Sequence, residues 1–173
     1  MQLPTAVQVT AFVPPPLGPA VDTVRRRWDP LFGTLIDAHI TLVHRLADDL
    51  TPDDVAARVR ELPPIRARVT EVRRWAGVEV GLYLEVLDVA GEIAALRDAL
   101  EAVQPPGLEY IPHVTLLHPS TATPAKADAA WDELSEWRPN CDIVIDQVDV
   151  IDVHESGWRP LRTIGLGGPN RGV

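Results

Sequence analysis

A six-residue phrase that occurs twice limits this chain more than any other feature: His39-Ile40-Thr41-Leu42-Val43-His44 and His113-Val114-Thr115-Leu116-Leu117-His118. Both copies are rich in β-branched and aliphatic residues, which suit a pleated, half-buried surface, so each is predicted to be a strand. On a strand, residues two apart share a face. His39 therefore stands beside Thr41, and His113 beside Thr115, while Ile40, Leu42, Val114 and Leu116 turn the other way toward a core. Each strand has one dry face and one face carrying an imidazole and a hydroxyl.

The surroundings repeat along with the phrase. Thr51-Pro52 and Thr123-Pro124 each follow a His-x-Thr strand and open a helix, with an N-cap hydroxyl and a proline at the first helical position. The histidines are 74 residues apart (39 to 113) and the caps 72 apart (51 to 123). So constant an offset points to an internal duplication: helix, His-x-Thr strand, Thr-Pro helix, strand, tight turn, strand. The repeats cover approximately 20–87 and 90–166 of a single domain, 1–173. Two similar units usually pack about a pseudo-two-fold axis, which sets equivalent faces opposite one another.

Other elements follow from periodicity and breakers. Val7 to Val13 reads as a strand closed by Pro14-Pro15-Pro16, with a stiff loop through Pro19. Val21, Val24 and Trp28 recur at helical spacing until Asp29-Pro30 ends the helix, and Arg25, Arg26 and Arg27 read as its solvated face. Val55, Val59 and Leu62 stripe the next helix. Ile65 to Arg74 is a strand, Trp75-Ala76-Gly77 a turn and Val78 to Leu87 the returning strand. A third helix carries Ile93, Leu96, Leu100 and Val103 and stops at Pro105-Pro106-Gly107; a fourth carries Ala127, Trp131 and Leu134. Cys141 to Val153 alternates as one strand, Glu155-Ser156-Gly157 turns, Leu161 to Leu166 closes the last hairpin, and 167–173 is expected to be a frayed tail.

Composition narrows the function. Hydrophobic content of 46% and charged content of 24% are those of an ordinary globular chain, and the net charge is −9. Such a surface repels a long phosphate backbone, whose non-specific binding needs many lysine and arginine contacts, so no long nucleic-acid surface is expected. A small phosphate ester held by one or two local arginines is compatible with it. Cys141 is the single cysteine, which leaves neither a disulfide framework nor a cysteine-rich metal site. Without a signal-like start or an apolar run of membrane-spanning length, the expected address is the cytosol, with no membrane association, and the expected state a monomer.

Displacement at phosphorus needs one group to take a proton from the attacking oxygen and another to give one to the leaving oxygen. Histidine, with an ordinary pKa of about 6.5, suits both roles. The threonine hydroxyls two residues along are placed to donate to the non-bridging oxygens. No metal or cofactor is required.

The two His-x-Thr-Leu phrases, each in one half of a duplicated chain, resemble the two-histidine (2H) phosphoesterase superfamily, and within it the bacterial 2′-5′ RNA ligase-like branch. Phe12-Val13-Pro14 at the end of the first strand, the helix before His39 and the hairpin around Val150 to Leu166 are similar to that branch too. The resemblance implies an α+β fold of two pseudo-symmetric lobes, each with an antiparallel sheet and helices, facing a central cleft. It also implies metal-independent chemistry on 2′,3′-cyclic phosphates or related cyclic esters of nucleotides or RNA ends, with His39, Thr41, His113 and Thr115 as the catalytic set. RNA 2′-5′ ligation uses the same residues in the opposite direction.

Around that set, Tyr83, Tyr110 and Trp158 are candidates to stack on a base, and Arg66, Arg68 and Arg162 to hold phosphate. Core packing and solvated strand edges explain the same residues. His44 and His118, five residues beyond the catalytic pair, read as structural or loop-facing, and His154 as exposed near a turn. Two alternatives remain open: a non-catalytic nucleotide or RNA-end binding module, and a metal site built on His39 and His113 with Asp37. The latter has no third ligand at a diagnostic spacing.

Overall fold

The computed structural model describes residues 6–75, 80–102, 109–154 and 157–168. Eight strands are joined in one antiparallel sheet: β1 (Ala6–Phe12), β2 (His39–Val43), β3 (Ile65–Arg74), β4 (Leu82–Asp88), β5 (His113–Leu117), β6 (Cys141–Ile145), β7 (Gln147–His154) and β8 (Gly157–Gly165). Their order across the sheet is β6-β3-β4-β5-β2-β1-β7-β8. The helices are α1 (Leu17–Trp28), α2 (Pro30–Leu35), α3 (Pro52–Val59), α4 (Glu92–Ala99) and α5 (Pro124–Leu134). Among the described residues no helix is long and apolar enough to cross a membrane.

The expected α+β class is observed, with the lobes joined edge to edge. The two His-x-Thr strands, β2 and β5, lie side by side at the centre, each at the inner edge of a four-stranded half. Read outward from the joint, β2 occupies the place of β5, β1 that of β4, and β7 that of β3. The repeating unit in space is therefore strand, helix, His-x-Thr strand, helix, strand, which begins one strand earlier than the sequence repeat. The strands of each sequence repeat are divided between the two halves of the sheet.

Alternation sets the faces. Val9, Ala11, Ile40, Leu42, Leu84, Val86, Val114 and Leu116 are all buried, and they pack in one core cluster with Val21 of α1, Val55 and Val59 of α3, Ile93 and Leu96 of α4, and Ala127 and Ala130 of α5. The other face of the same strands carries His39, Thr41, His113 and Thr115. Both Thr-Pro caps form as expected: the Thr51 hydroxyl accepts from the Asp54 N–H while the Asp54 side chain accepts from the Thr51 N–H, and the Thr123 hydroxyl accepts from Lys126 N–H. These bonds satisfy main-chain donors that a helix start leaves open.

Several local expectations need correction. Residues 141–153 form two strands in opposite halves of the sheet, β6 beside β3 and β7 beside β1. The buried apolar positions reveal the break, since they are odd in β6 (Ile143, Ile145) and even in early β7 (Val148, Val150). A two-residue period that changes phase at Asp146 cannot be one flat strand. The Pro-rich loop ends sooner than expected: α1 starts at Leu17 and takes Pro19 into its first turn, where a missing N–H costs nothing. Asp29-Pro30 ends α1 and also begins α2, with the Asp29 carboxylate accepting from Phe32 N–H.

Arg25 is not on a solvated face but is 2% exposed. Gly167 and Gly168 are tied down rather than frayed, their N–H groups donating to Leu62 and Arg60 carbonyls. The expected stops at 76–77 and 105–107, most of the 155–157 turn, Val78 at the start of the returning strand, Val103 of the third helix and the last five residues of the tail lie outside the described residues.

Candidate active site

The site is built at the joint between β2 and β5. Ile40 pairs with Val114 in antiparallel register, which sets His39 across from Thr115 and Thr41 across from His113. Directly opposed Cβ atoms in such a pair are about 5 Å apart and diagonal ones about 7–8 Å. The two imidazoles are diagonal neighbours on one face. Thr41 is buried and Thr115 half-buried.

Both rings are held the same way. His39 Nδ1 is 2.8 Å from the Asp37 carbonyl oxygen, and His113 Nδ1 is 2.7 Å from that of Ile111. A carbonyl can only accept, so each Nδ1 carries the proton and each Nε2 keeps its lone pair. Burial pushes the His39 imidazole down to about 3, against the opposing influence of the Asp37 carbonyl. His113 is lowered to about 4, again chiefly by burial. Both rings are neutral bases near neutrality.

Aromatic rings supply much of that burial. Trp158 lies 5.1 Å from His39 and Phe12 lies 6.4 Å from it. Around His113, Trp75 stands at 4.6 Å and Tyr83 at 5.6 Å. Trp75 follows β3 and Trp158 opens β8, so the β3–β4 and β7–β8 pairs each bring an indole to the histidine of their own half. Sequence reasoning nominated Trp158 and Tyr83 and missed Trp75 and Phe12. The signal for Trp75 was a tryptophan beside a hairpin turn in both repeats.

The other nominated residues are placed differently. The Tyr110 hydroxyl donates to the Thr41 carbonyl at 3.0 Å, with the Arg97 guanidinium 3.6 Å above its ring and bonded to the Leu42 carbonyl. Tyr110 and Arg97 thus brace β2 from behind. Arg66 binds Glu92 through Nε and Nη2 at 2.9 and 2.6 Å. Arg68 grips both Asp142 oxygens at 2.6 and 3.0 Å, and Arg162 pairs with Asp53.

All three arginines are engaged by carboxylates. His44 is exposed; His118 stacks on Phe32 at 4.4 Å; His154 Nε2 lies 2.7 Å from Asp152. Asp37 meets His39 through its main chain, and among the described residues no three His, Cys, Asp or Glu side chains converge as a metal would require.

Paired imidazoles with matched threonines on adjacent strands of a duplicated antiparallel sheet define a two-histidine phosphoesterase. The chain belongs to the 2′-5′ RNA ligase superfamily, whose family model matches residues 13–157. Solved structures agree on the fold. TT0787 of Thermus thermophilus aligns with a TM-score of 0.65 at 16% identity, covering 98% of this chain and 100% of that one. E. coli LigT complexed with NADP+ gives 0.59 at 13%, covering 95% and 99%. LigT complexed with 3′-AMP gives 0.58 at 14%, with the same coverage. No curated protein matches the chain in sequence. Superfamily membership gives the chemistry a coarse name, phosphoesterase or ligase.

Proposed function

We propose that the protein is a cyclic phosphodiesterase that opens 2′,3′-cyclic phosphates, or related cyclic esters, of nucleotides or RNA ends by paired-histidine acid–base catalysis. The observation that carries this reading is the common face of the two imidazoles, each opposite the threonine of the other motif across the Ile40–Val114 pair. A phosphate seated between them has one imidazole on the side of the attacking water and one on the side of the leaving ribose oxygen. One Nε2 takes the proton of the water as its oxygen bonds to phosphorus. The other, protonated, delivers its proton to the ribose oxygen as that P–O bond breaks. The Thr41 and Thr115 hydroxyls donate to the non-bridging oxygens, whose charge grows as the reaction proceeds.

Both rings are neutral in the free protein, so the acid must gain its proton in the complex. The negative charge of the bound phosphate favours this, because an opposite charge at close range raises an imidazole pKa. The net charge of −9 favours small or end-limited substrates over long nucleic acid. LigT, similar in fold, is seen with 3′-AMP, which supports a nucleotide-sized ligand here. No metal takes part in the proposed steps, and the protein acts as a monomer in the cytoplasm.

The test is a panel of 2′,3′-cyclic nucleotides, 2′,5′-linked oligonucleotides and RNA ends assayed in EDTA. Ring opening in EDTA supports the proposal. Binding of a cyclic nucleotide without turnover would instead make the protein a nucleotide-binding module, and activity abolished by the chelator would point to a metal on the histidines.

A further inference from the structure

The two catalytic candidates are held by the same local bond, but the carbonyls that hold them are supported differently. Behind His39 lies a buried ion pair of α1. Arg25 Nη1 is 3.0 Å from Asp22 Oδ1, and the two residues are 2% and 8% exposed. Arg25 Nη1 donates to the Ile36 carbonyl at 2.7 Å and Nη2 to that of Phe32 at 3.2 Å. Asp22 Oδ1 accepts from Ala38 N–H at 2.7 Å. The pair thus grips the main chain on both sides of Asp37, whose carbonyl receives the Nδ1 proton of His39.

Burying two charges is costly and only worthwhile when their remaining donors and acceptors are met. Here they are met largely by the backbone on either side of Asp37. Among the described residues no such pair faces the Ile111 carbonyl. The corresponding cation of the second half, Arg97, turns to Tyr110 and the Leu42 carbonyl instead.

We propose that Arg25 and Asp22 are positioning residues for His39. They fix the Asp37 carbonyl and thereby hold the imidazole in its Nδ1–H tautomer, with Nε2 presented to phosphate. This rests on the reading of His39 as a proton-transfer group, but the clamp has a consequence that needs no substrate: its loss alters His39 and spares His113. Orienting partners of metal-bound imidazoles are worth about 10- to 100-fold in activity, and an effect of the same order is expected for a proton-transfer imidazole held in one tautomer.

The experiment compares Arg25→Met, Arg25→Lys and Asp22→Asn with the wild type in the full chain. The readouts are the ¹⁵N shifts of the histidine side chains without ligand, and kcat and KM on a 2′,3′-cyclic nucleotide. The near-isosteric Asp22→Asn keeps the test informative if Arg25→Met does not fold.

The expected result is a mixed-tautomer Nδ1 signal for His39 with His113 unchanged. In Arg25→Met and Asp22→Asn, kcat falls about 10- to 100-fold at nearly constant KM, and Arg25→Lys recovers part of it. A His39 signal identical to wild type, or His39 and His113 shifting together, overturns the proposal. If the wild type turns over no cyclic ester, the functional reading fails while the ligand-free spectra still decide the clamp.

Discussion

Ile40 of β2 stands directly opposite Val114 of β5, and this pairing fixes where every reactive group of the site lies. Because the register is antiparallel, it brings each histidine to the threonine of the other repeat. Replacing Thr41 or Thr115 by valine keeps the strand and its shape but removes the hydroxyl proposed to donate to the phosphate. Each variant is expected to lose about 10- to 1,000-fold in kcat on a cyclic nucleotide, with a smaller change in KM, the effect of one missing donor to a developing oxyanion. Steady-state kinetics check this; unchanged kcat in both would remove the threonines from the mechanism.

The burial of the imidazoles has a pH consequence. Burial pushes the His39 and His113 imidazoles down to about 3 and about 4 in the folded protein, against about 6.5 unfolded. Between those values the unfolded chain binds more protons, so stability falls as pH drops below about 6.5 and is fully present above it. Each ring steepens that fall by at most about 1.4 kcal/mol per pH unit. A His39→Asn/His113→Asn double variant is expected to show a flatter loss of stability between about pH 6.5 and 4 in urea melts. NMR titration is expected to place both wild-type midpoints below about 5, and to move at least one upward when a nucleoside monophosphate binds.

The indoles beside the rings are expected to act one on each. Trp75→Leu opens the surroundings of His113 and raises its midpoint toward about 6.5, leaving His39 in place; Trp158→Leu does the reverse. Two-dimensional histidine spectra over a pH series separate the two effects. Gly81→Ala is expected to disturb the surroundings of His113 and to destabilise the fold as well, because an added Cβ would lie 2.6 Å from the Leu117 carbonyl oxygen and 2.8 Å from Trp75 Cδ1, so both the β5 main chain and the indole must move.

The Thr-Pro caps belong to the duplicated scaffold and not to the chemistry. Thr51→Ala and Thr123→Ala are each expected to cost about 0.5–2 kcal/mol in denaturant unfolding while kcat stays within about twofold of wild type. A large kcat effect from either would show that α3 or α5 reaches the site.

Much of this architecture was legible because local chemistry and tertiary role agree. A strand with β-branched residues on one side and His-x-Thr on the other has one sensible orientation, and Thr-Pro opens a helix in both repeats. The strand Ile65–Arg74 was readable to the residue for the same reason. What escaped depends on partners far away in the chain. Arg25 looked like one of three surface arginines because nothing nearby says that Ile36 and Phe32 will offer it carbonyls. Asp29-Pro30 was read as a stop although it carries the same cap grammar as Thr51-Pro52. Arg66, Arg68 and Arg162 stand in the sequence as candidates for phosphate or for solvated strand edges, and nothing near them announces Glu92, Asp142 and Asp53, the carboxylates from other elements that pair with them.

Two imidazoles sharing the proton transfers are the centre of the proposed chemistry. The direct measurement is the turnover of a 2′,3′-cyclic nucleotide in EDTA by His39→Ala and by His113→Ala, with folding checked by circular dichroism. Each variant is predicted to keep the wild-type spectrum and to lose at least about a hundredfold in rate; a wild-type rate in either one contradicts the assignment.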